Sequence, residues 1–340
     1  MSSRLVRFFM AAAASAVGVA AVALPATADR GDNGGSTDDG NLQAKATIRV
    51  SGSVKGGGGS TSVSAPAICW WEKAPFSTDG VEALSLIFAF IGLPMDRAAI
   101  EKVLEDEKES GEKFDWYIRK ASPTATKAQL EEAGCNDPSG PYQGLLIGSI
   151  IRPFEPGNPP EPIPDPAEMA DVALKNIDLQ APTLTWNPKA DSLGGGTLVN
   201  LPTWFWVTNP GPAIGDGNGE RSVTATAEAN GQQVSVTVTA KAGTLQIASP
   251  GGAATCSVDQ ARTVYSAGAS EDSACTLPFG RASTRYENGF PVQATVAWTA
   301  SWTGTGPGVP GGVQQLDGVV LNSTTNVPVR EAQTIVMKGA

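Results

Sequence analysis

The chain has 340 residues, with 34 Asp and Glu against 24 Lys and Arg, a formal charge of −10 and no histidine. With no basic cluster to oppose it, that acidity excludes nucleic acid and anionic lipid as partners. The missing histidine removes the commonest general base, the usual metal ligand and the Ser-His and Cys-His pairings together, leaving carboxylates as the main option for acid–base chemistry.

Residues 1–28 have the three-part form of a secretory signal peptide. Arg4 and Arg7 precede an uncharged apolar stretch from Phe8 to Leu24, and Ala26-Thr27-Ala28 places cleavage before Asp29. The alternative is an uncleaved membrane anchor, against which stand the Ala-rich run and the polar stretch after it. The most apolar later run, Leu84 to Leu93, is about half the length of a span. The expectation is a secreted, extracellular or cell-surface protein with no membrane insertion of the mature chain.

Four cysteines follow: Cys69, Cys135, Cys256 and Cys275. An even count in an exported chain reads as disulfides, and three connectivities are possible. Proximity favours Cys69 with Cys135 and Cys256 with Cys275. A four-thiolate zinc site is the rival, and no Cys-x-x-Cys spacing supports it. No cofactor and no metal ligand set is expected.

Residues 29–43 are a polar, disordered leader whose Arg30-Gly31-Asp32 is a chance match. Residues 44–151 read as a mixed α/β region with one disulfide. In it, Ala46, Ile48 and Val50 alternate with Lys45, Thr47, Arg49 and Ser51 as a half-buried strand. The run Gly56 to Ser60 is a flexible connector without the ending of a phosphate-binding loop. Helices are expected over Val81 to Ile91, Asp96 to Glu109 and Thr124 to Ala133. The second carries Glu101, Glu105, Asp106, Glu107 and Glu109, with Lys102 and Lys108 interleaved as on a solvated face.

Residues 152–166 form a Pro-rich linker. Residues 167–200 hold a connecting helix, Ala167 to Ile177, with Pro166 at its start, and then an extended segment from Ala181 to Trp186. In residues 201–340, Val223, Ala225, Ala227 and Ala229 alternate with polar neighbours. Asn230-Gly231 then marks a hairpin turn, and Val234, Val236, Val238 and Ala240 resume the pattern. Residues 292 to 302 repeat it, and Val327 to Met337 is expected as a last strand, with a bulge at Arg330-Glu331. Short strands with turn signals read as an immunoglobulin-like antiparallel sandwich. The fold class is therefore α+β: a mixed helical N-terminal region, then an antiparallel Ig-like β-sandwich.

The segments 165–177, 201–207, 292–304 and 327–336, with the Cys256 and Cys275 pair, resemble secreted actinobacterial proteins of largely uncharacterised function. The C-terminal part of such proteins is similar to PKD domains, Ig-like (PKD-like) sandwiches of microbial cell surfaces. The Gly-Asp-Gly of that pattern falls here at Gly215-Asp216-Gly217, upstream of the first hairpin, and residues 245–251 read LQIASPG.

Two features invite functional readings. Asp216 to Glu220 offers oxygen groups at alternate positions, as calcium loops do, or is a polar turn before a strand. Trp204 and Trp206 share one side of a strand, with Phe205 on the other, and are either exposed to hold a glycan or protein partner, or part of a strand buried on both faces where two domains meet. The favoured function is a non-enzymatic structural or binding module for an extracellular protein or glycan. The alternative is a carboxylate-dependent hydrolase of cell-wall glycans, which needs two acids converging about 5–10 Å apart.

Overall fold

The computed structural model describes residues 36–38, 41–57, 59–73, 101, 105, 109, 115–135, 151–154, 157–191, 194–229 and 231–332. The chain begins with a short backbone hairpin, β1 (Ser36–Asp38) and β2 (Asn41–Gln43). Strand β3 (Lys45–Gly52) follows as its alternation dictates, with Ala46, Ile48 and Val50 buried and Thr47 and Arg49 exposed. Its turn depends on Gly52, at φ +114°, where an added Cβ would lie 2.7 Å from the Ser222 carbonyl oxygen. The Gly-rich connector closes this turn, Gly52 N–H donating to the Gly59 carbonyl at 3.1 Å.

Strand β4 (Ser60–Lys73) pairs with β3 along its first half and with β5 (Asp115–Ala121) along its second. Helix α1 (Lys127–Glu132) starts in a reciprocal capping box between Thr126 and Gln129. Of the other expected helices, Val81 to Ile91 lies outside the described residues, and Glu101, Glu105 and Glu109 are helical. Strand β6 (Ile151–Phe154) pairs with β5.

The Pro-rich stretch is anchored rather than free. Its β7 (Ile163–Pro164) pairs with β4, Ile163 is buried, and Asp165 N–H donates to the Pro66 carbonyl at 3.0 Å. Helix α2 (Pro166–Asn176) has Asp165 as N-cap and Pro at its first turn, and buries Met169, Ala170 and Ala173. Next come β8 (Leu184–Asn187), β9 (Thr197–Leu198), β10 (Pro202–Val207) and the one-turn α3 (Pro210–Ile214).

Strands β11 (Glu220–Ala229) and β12 (Gln232–Ser249) form the expected hairpin, with Gly231 at φ +73°. β12 then pairs with β13 (Gly252–Cys256). The chain continues through α4 (Val258–Arg262), β14 (Cys275–Pro278), β15 (Phe290–Thr305), β16 (Gln314–Val327) and β17 (Val329–Arg330). The expected last strand reduces to β17, which pairs in parallel with β9; residues 333–337 of that expectation lie outside the described residues.

The fold-class expectation is corrected here: the protein is mostly β, 51% strand against 15% helix, and is built on one large curled antiparallel sheet. It is not a helical region followed by an Ig-like (PKD-like) sandwich. The sheet runs β16-β15-β12-β11-β3-β4-β5-β6. The hairpin of β11 and β12 does not fold back onto a facing sheet of its own. β11 takes β3 as its second neighbour, setting Val223 opposite Gly52 and Ala225 opposite Val50, so early and late segments share one sheet.

The curl has a local cause. β12 bulges between Ala242 and Leu245, and β16 bulges opposite the stretch between Trp298 and Ala300. Extra residues on both neighbours of β15 at the same level bend the sheet there, and Trp298 is buried at the bend. The concave face is closed by α2 and by a three-stranded sheet ordered β14-β10-β8.

Candidate functional site

The small sheet carries the two tryptophans singled out from the sequence. Its central strand, β10, is aromatic on both faces, and the two faces meet different surroundings. Phe205 points inward, is fully buried and meets Phe279 edge-on at 6.4 Å between ring centroids; Phe279 stacks on Phe290 at 5.8 Å. Trp204 and Trp206 point outward. Trp204 is buried beneath Tyr265, whose ring stands edge-on to it at 5.3 Å. Trp206 is half-buried.

Polar groups border these rings. In the strand register Trp206 lies opposite Thr185, and Trp204 lies opposite Asn187 on one side and Thr276 on the other. Tyr265 is 40% exposed and Val264 59% exposed. The outer face therefore presents indole and phenol rings with hydroxyl and amide neighbours. Such a surface stacks on flat apolar faces while exchanging hydrogen bonds at its rim.

Three constraints hold Tyr265 in place. The Cys256–Cys275 disulfide closes a loop of sequence separation 19, tying the end of β13 to the start of β14. Inside that loop α4 begins in a reciprocal capping box of Ser257 and Gln260. At its end Arg262 donates to the carbonyls of Gly215 and Asp216. Tyr265 and Val264 carried no periodic signal in the sequence; their position between paired cysteines was the available clue.

Arg262 also bears on the Asp216 to Glu220 loop. Its guanidinium, itself a cation, already holds two of the carbonyls. Arg221 pairs with Asp216 at 3.8 Å, and Asn218 donates to Glu220 at 2.9 Å. Gly215, at φ +83°, lets the loop close: an added Cβ would lie 2.2 Å from the Gly219 carbonyl carbon. These contacts make a self-contained turn. Among the described residues no group of three or more His, Cys, Asp or Glu is placed to hold a metal ion.

The second disulfide, Cys69–Cys135, joins β4 to the third residue past the end of α1, with both cysteines buried beside Ile68, Ala133 and Ile163. Both bonds follow the pairing favoured by sequence proximity. Near this region Arg119 stacks over Trp71 at 4.8 Å, and Trp71 and Tyr117 each meet Phe154 edge-on.

Among the described residues, the carboxyl with a raised proton affinity is Glu168 on α2. Partial desolvation of this otherwise exposed side chain is the larger cause, followed by the charges of Asp165 and Asp171, with Lys175 opposing them. These acids lie along a single helix, and Asp165 is engaged as its N-cap, accepting from Ala167 N–H at 2.9 Å.

No helix among the described residues is long and apolar enough to cross a membrane. Comparison of the chain with protein families, with curated proteins and with solved structures finds no match in any of the three.

Proposed function

We propose that this is an exported binding protein without a catalytic step of its own, which holds an uncharged glycan against the outer aromatic face of its small sheet. The observation that carries the reading is the outer row of β10, where Trp204 lies against exposed Tyr265 and half-buried Trp206 stands two residues further along the strand, with Thr185, Asn187 and Thr276 opposite them in the ladder. An aromatic ring stacks on the C–H face of a sugar while hydroxyls and amides at the rim satisfy its hydroxyl groups. A chain of charge −10 favours a neutral ligand over an anionic one. Two disulfides fit an oxidising, extracytoplasmic compartment. Cleavage after Ala28 and membership among secreted actinobacterial proteins belong to the same proposal.

The test is retention of the chain from Asp29 onward on insoluble cellulose, chitin and peptidoglycan. The expected result is retention on at least one, lost in Trp206→Ala and in Tyr265→Ala while the unfolding midpoint stays in place. Retention indifferent to both substitutions would remove the assignment of the site. Release of new reducing ends would favour the carboxylate-dependent hydrolase instead.

A further inference from the structure

The outer face of the small sheet differs between its two ends. Along the outer row of β10, Trp204 is 4% exposed and Trp206 is half-buried. Thr208 comes next in that row and is exposed. Its N–H donates to the Thr183 carbonyl at 2.8 Å, which extends the ladder with β8 by one pair, and Thr183 is exposed as well. The face is thus covered at the Trp204 end and open at the Thr208 end.

The cover has a definite source. Helix α4 packs against β10, and beyond it Tyr265 stands over the Trp204 indole at 5.3 Å, with 84° between the ring planes. The Cys256–Cys275 disulfide and the hold of Arg262 on the Gly215 and Asp216 carbonyls keep that ring in place. Alternate residues of a strand are about 7 Å apart, so Trp206 lies one such step in front of the Tyr265 wall. A glycan bound by its middle along β10 needs a clear row on both sides of Trp206. Here the row is clear only toward Thr208 and Thr183.

We propose that the site reads the terminal sugar of a neutral glycan chain, which rests on the assignment of this face to a glycan. The end ring stacks on Trp206 with its free edge toward Tyr265, and the rest of the chain leaves across Thr208 and Thr183. The Thr208 hydroxyl donates to the Thr183 carbonyl at 3.2 Å, which leaves its oxygen free to accept from a hydroxyl of the second sugar. The wall turns position along the chain into a steric choice, because an internal sugar on Trp206 would drive its neighbour into Tyr265.

The test is calorimetric titration of the chain from Asp29 with oligosaccharides of two to six sugars prepared from cellulose, chitin and peptidoglycan. In the series that binds, the molar affinity is expected to stay within twofold from three sugars to six, with one protein held per chain. Reduction of the reducing-end sugar to an open alditol distinguishes the two ends. Lost binding supports capture of the reducing end, and unchanged binding supports capture of the other. An affinity that climbs with each added sugar, or several proteins on one long chain, would overturn end recognition. The assignment of the face to a glycan would then still stand, provided Trp206→Ala abolishes the binding. Binding untouched by Trp206→Ala, or none in any series, would remove that assignment and this proposal with it.

Discussion

Ser51 donates its hydroxyl to the backbone carbonyl of Thr224 at 3.4 Å, across 173 residues of chain. The two residues are also directly opposed in the ladder that joins β3 to β11, so the sheet cannot be completed by the C-terminal residues alone. A fragment starting at Asp165 would present the bare edge of β11 and uncover Val223 and Ala225. It is expected to aggregate on size exclusion where the chain from Asp29 runs as a folded species. A compact, soluble fragment with a cooperative unfolding transition would show that β3 and β4 are dispensable.

Consecutive residues of β10 are expected to respond in opposite ways. Phe205→Ala should cost about 3–5 kcal/mol of stability, the usual range for a fully buried Phe. Trp206→Ala, at a half-buried position, should cost clearly less and act on glycan retention. Denaturant unfolding of the two variants side by side checks the ordering. Equal losses would place Trp206 in the core and weaken the binding assignment.

Removing either disulfide should destabilise the chain, by an amount that grows with the logarithm of the loop it closes. On the chain-entropy account the loop of 19 contributes about 3 kcal/mol and the loop of 66 about 4. Cys256→Ala with Cys275→Ala should also release Tyr265 from Trp204, seen as increased tyrosine accessibility to quenchers. An unchanged quenching profile would mean that Arg262 and the Ser257 cap suffice to hold the loop.

Arg262→Met removes the guanidinium donor from the Gly215 and Asp216 carbonyls, of which Asp216 keeps the Gly219 N–H at 2.8 Å. A loss of about 1–3 kcal/mol is expected, as for partners left unsatisfied. Since the guanidinium fills that position in the wild type, millimolar calcium should leave its unfolding midpoint in place. A calcium-dependent rise would reopen the loop as a cation site.

Glu168 sets a pH dependence whose sign follows from its raised proton affinity, caused first by burial and then by Asp165 and Asp171. The folded state holds this proton more tightly than the unfolded chain. Its contribution to stability is therefore full below the ordinary carboxylate range, about pH 4, and is lost as pH rises through the raised value. Because the Glu168 side chain is exposed to solvent, Glu168→Gln should raise the unfolding midpoint only slightly near pH 7, and the gain should vanish in acid. A wild type more stable than the variant at pH 7 would mean that the attraction of Glu168 to the α2 N-terminus outweighs its burial.

Much of the local structure was legible because burial on one face imposes period two. β3, β11, β15 and the first part of β12, up to its bulge after Ala242, follow that pattern residue by residue, and α2 was marked by Asp165, Pro166 and its small apolar stripe. β16 was not legible. Its inward residues are only half-buried at a sheet edge, and the bulge breaks the alternation of Leu316, Val319 and Leu321. Which strands pair was not legible either, since alternation says which face is buried and nothing about what lies alongside. That is why the C-terminal strands read as a self-contained sandwich. At the outer aromatic face Trp204 and Trp206 were visible as residues, while Tyr265 reaches Trp204 only through a disulfide, a cap and the hold of Arg262 on a distant turn.

The place of β3 in the middle of the sheet bears on the order in which the molecule can be made. Synthesis proceeds at about 5–20 residues per second, so the segment that must lie beside Ser51 follows it by roughly 10–35 s. Over that interval the hairpin of β3 and β4 has an open flank that only β11 can fill, and pairings this distant in sequence close late and slowly. A nascent chain of this topology gains from being kept extended until its second half has emerged.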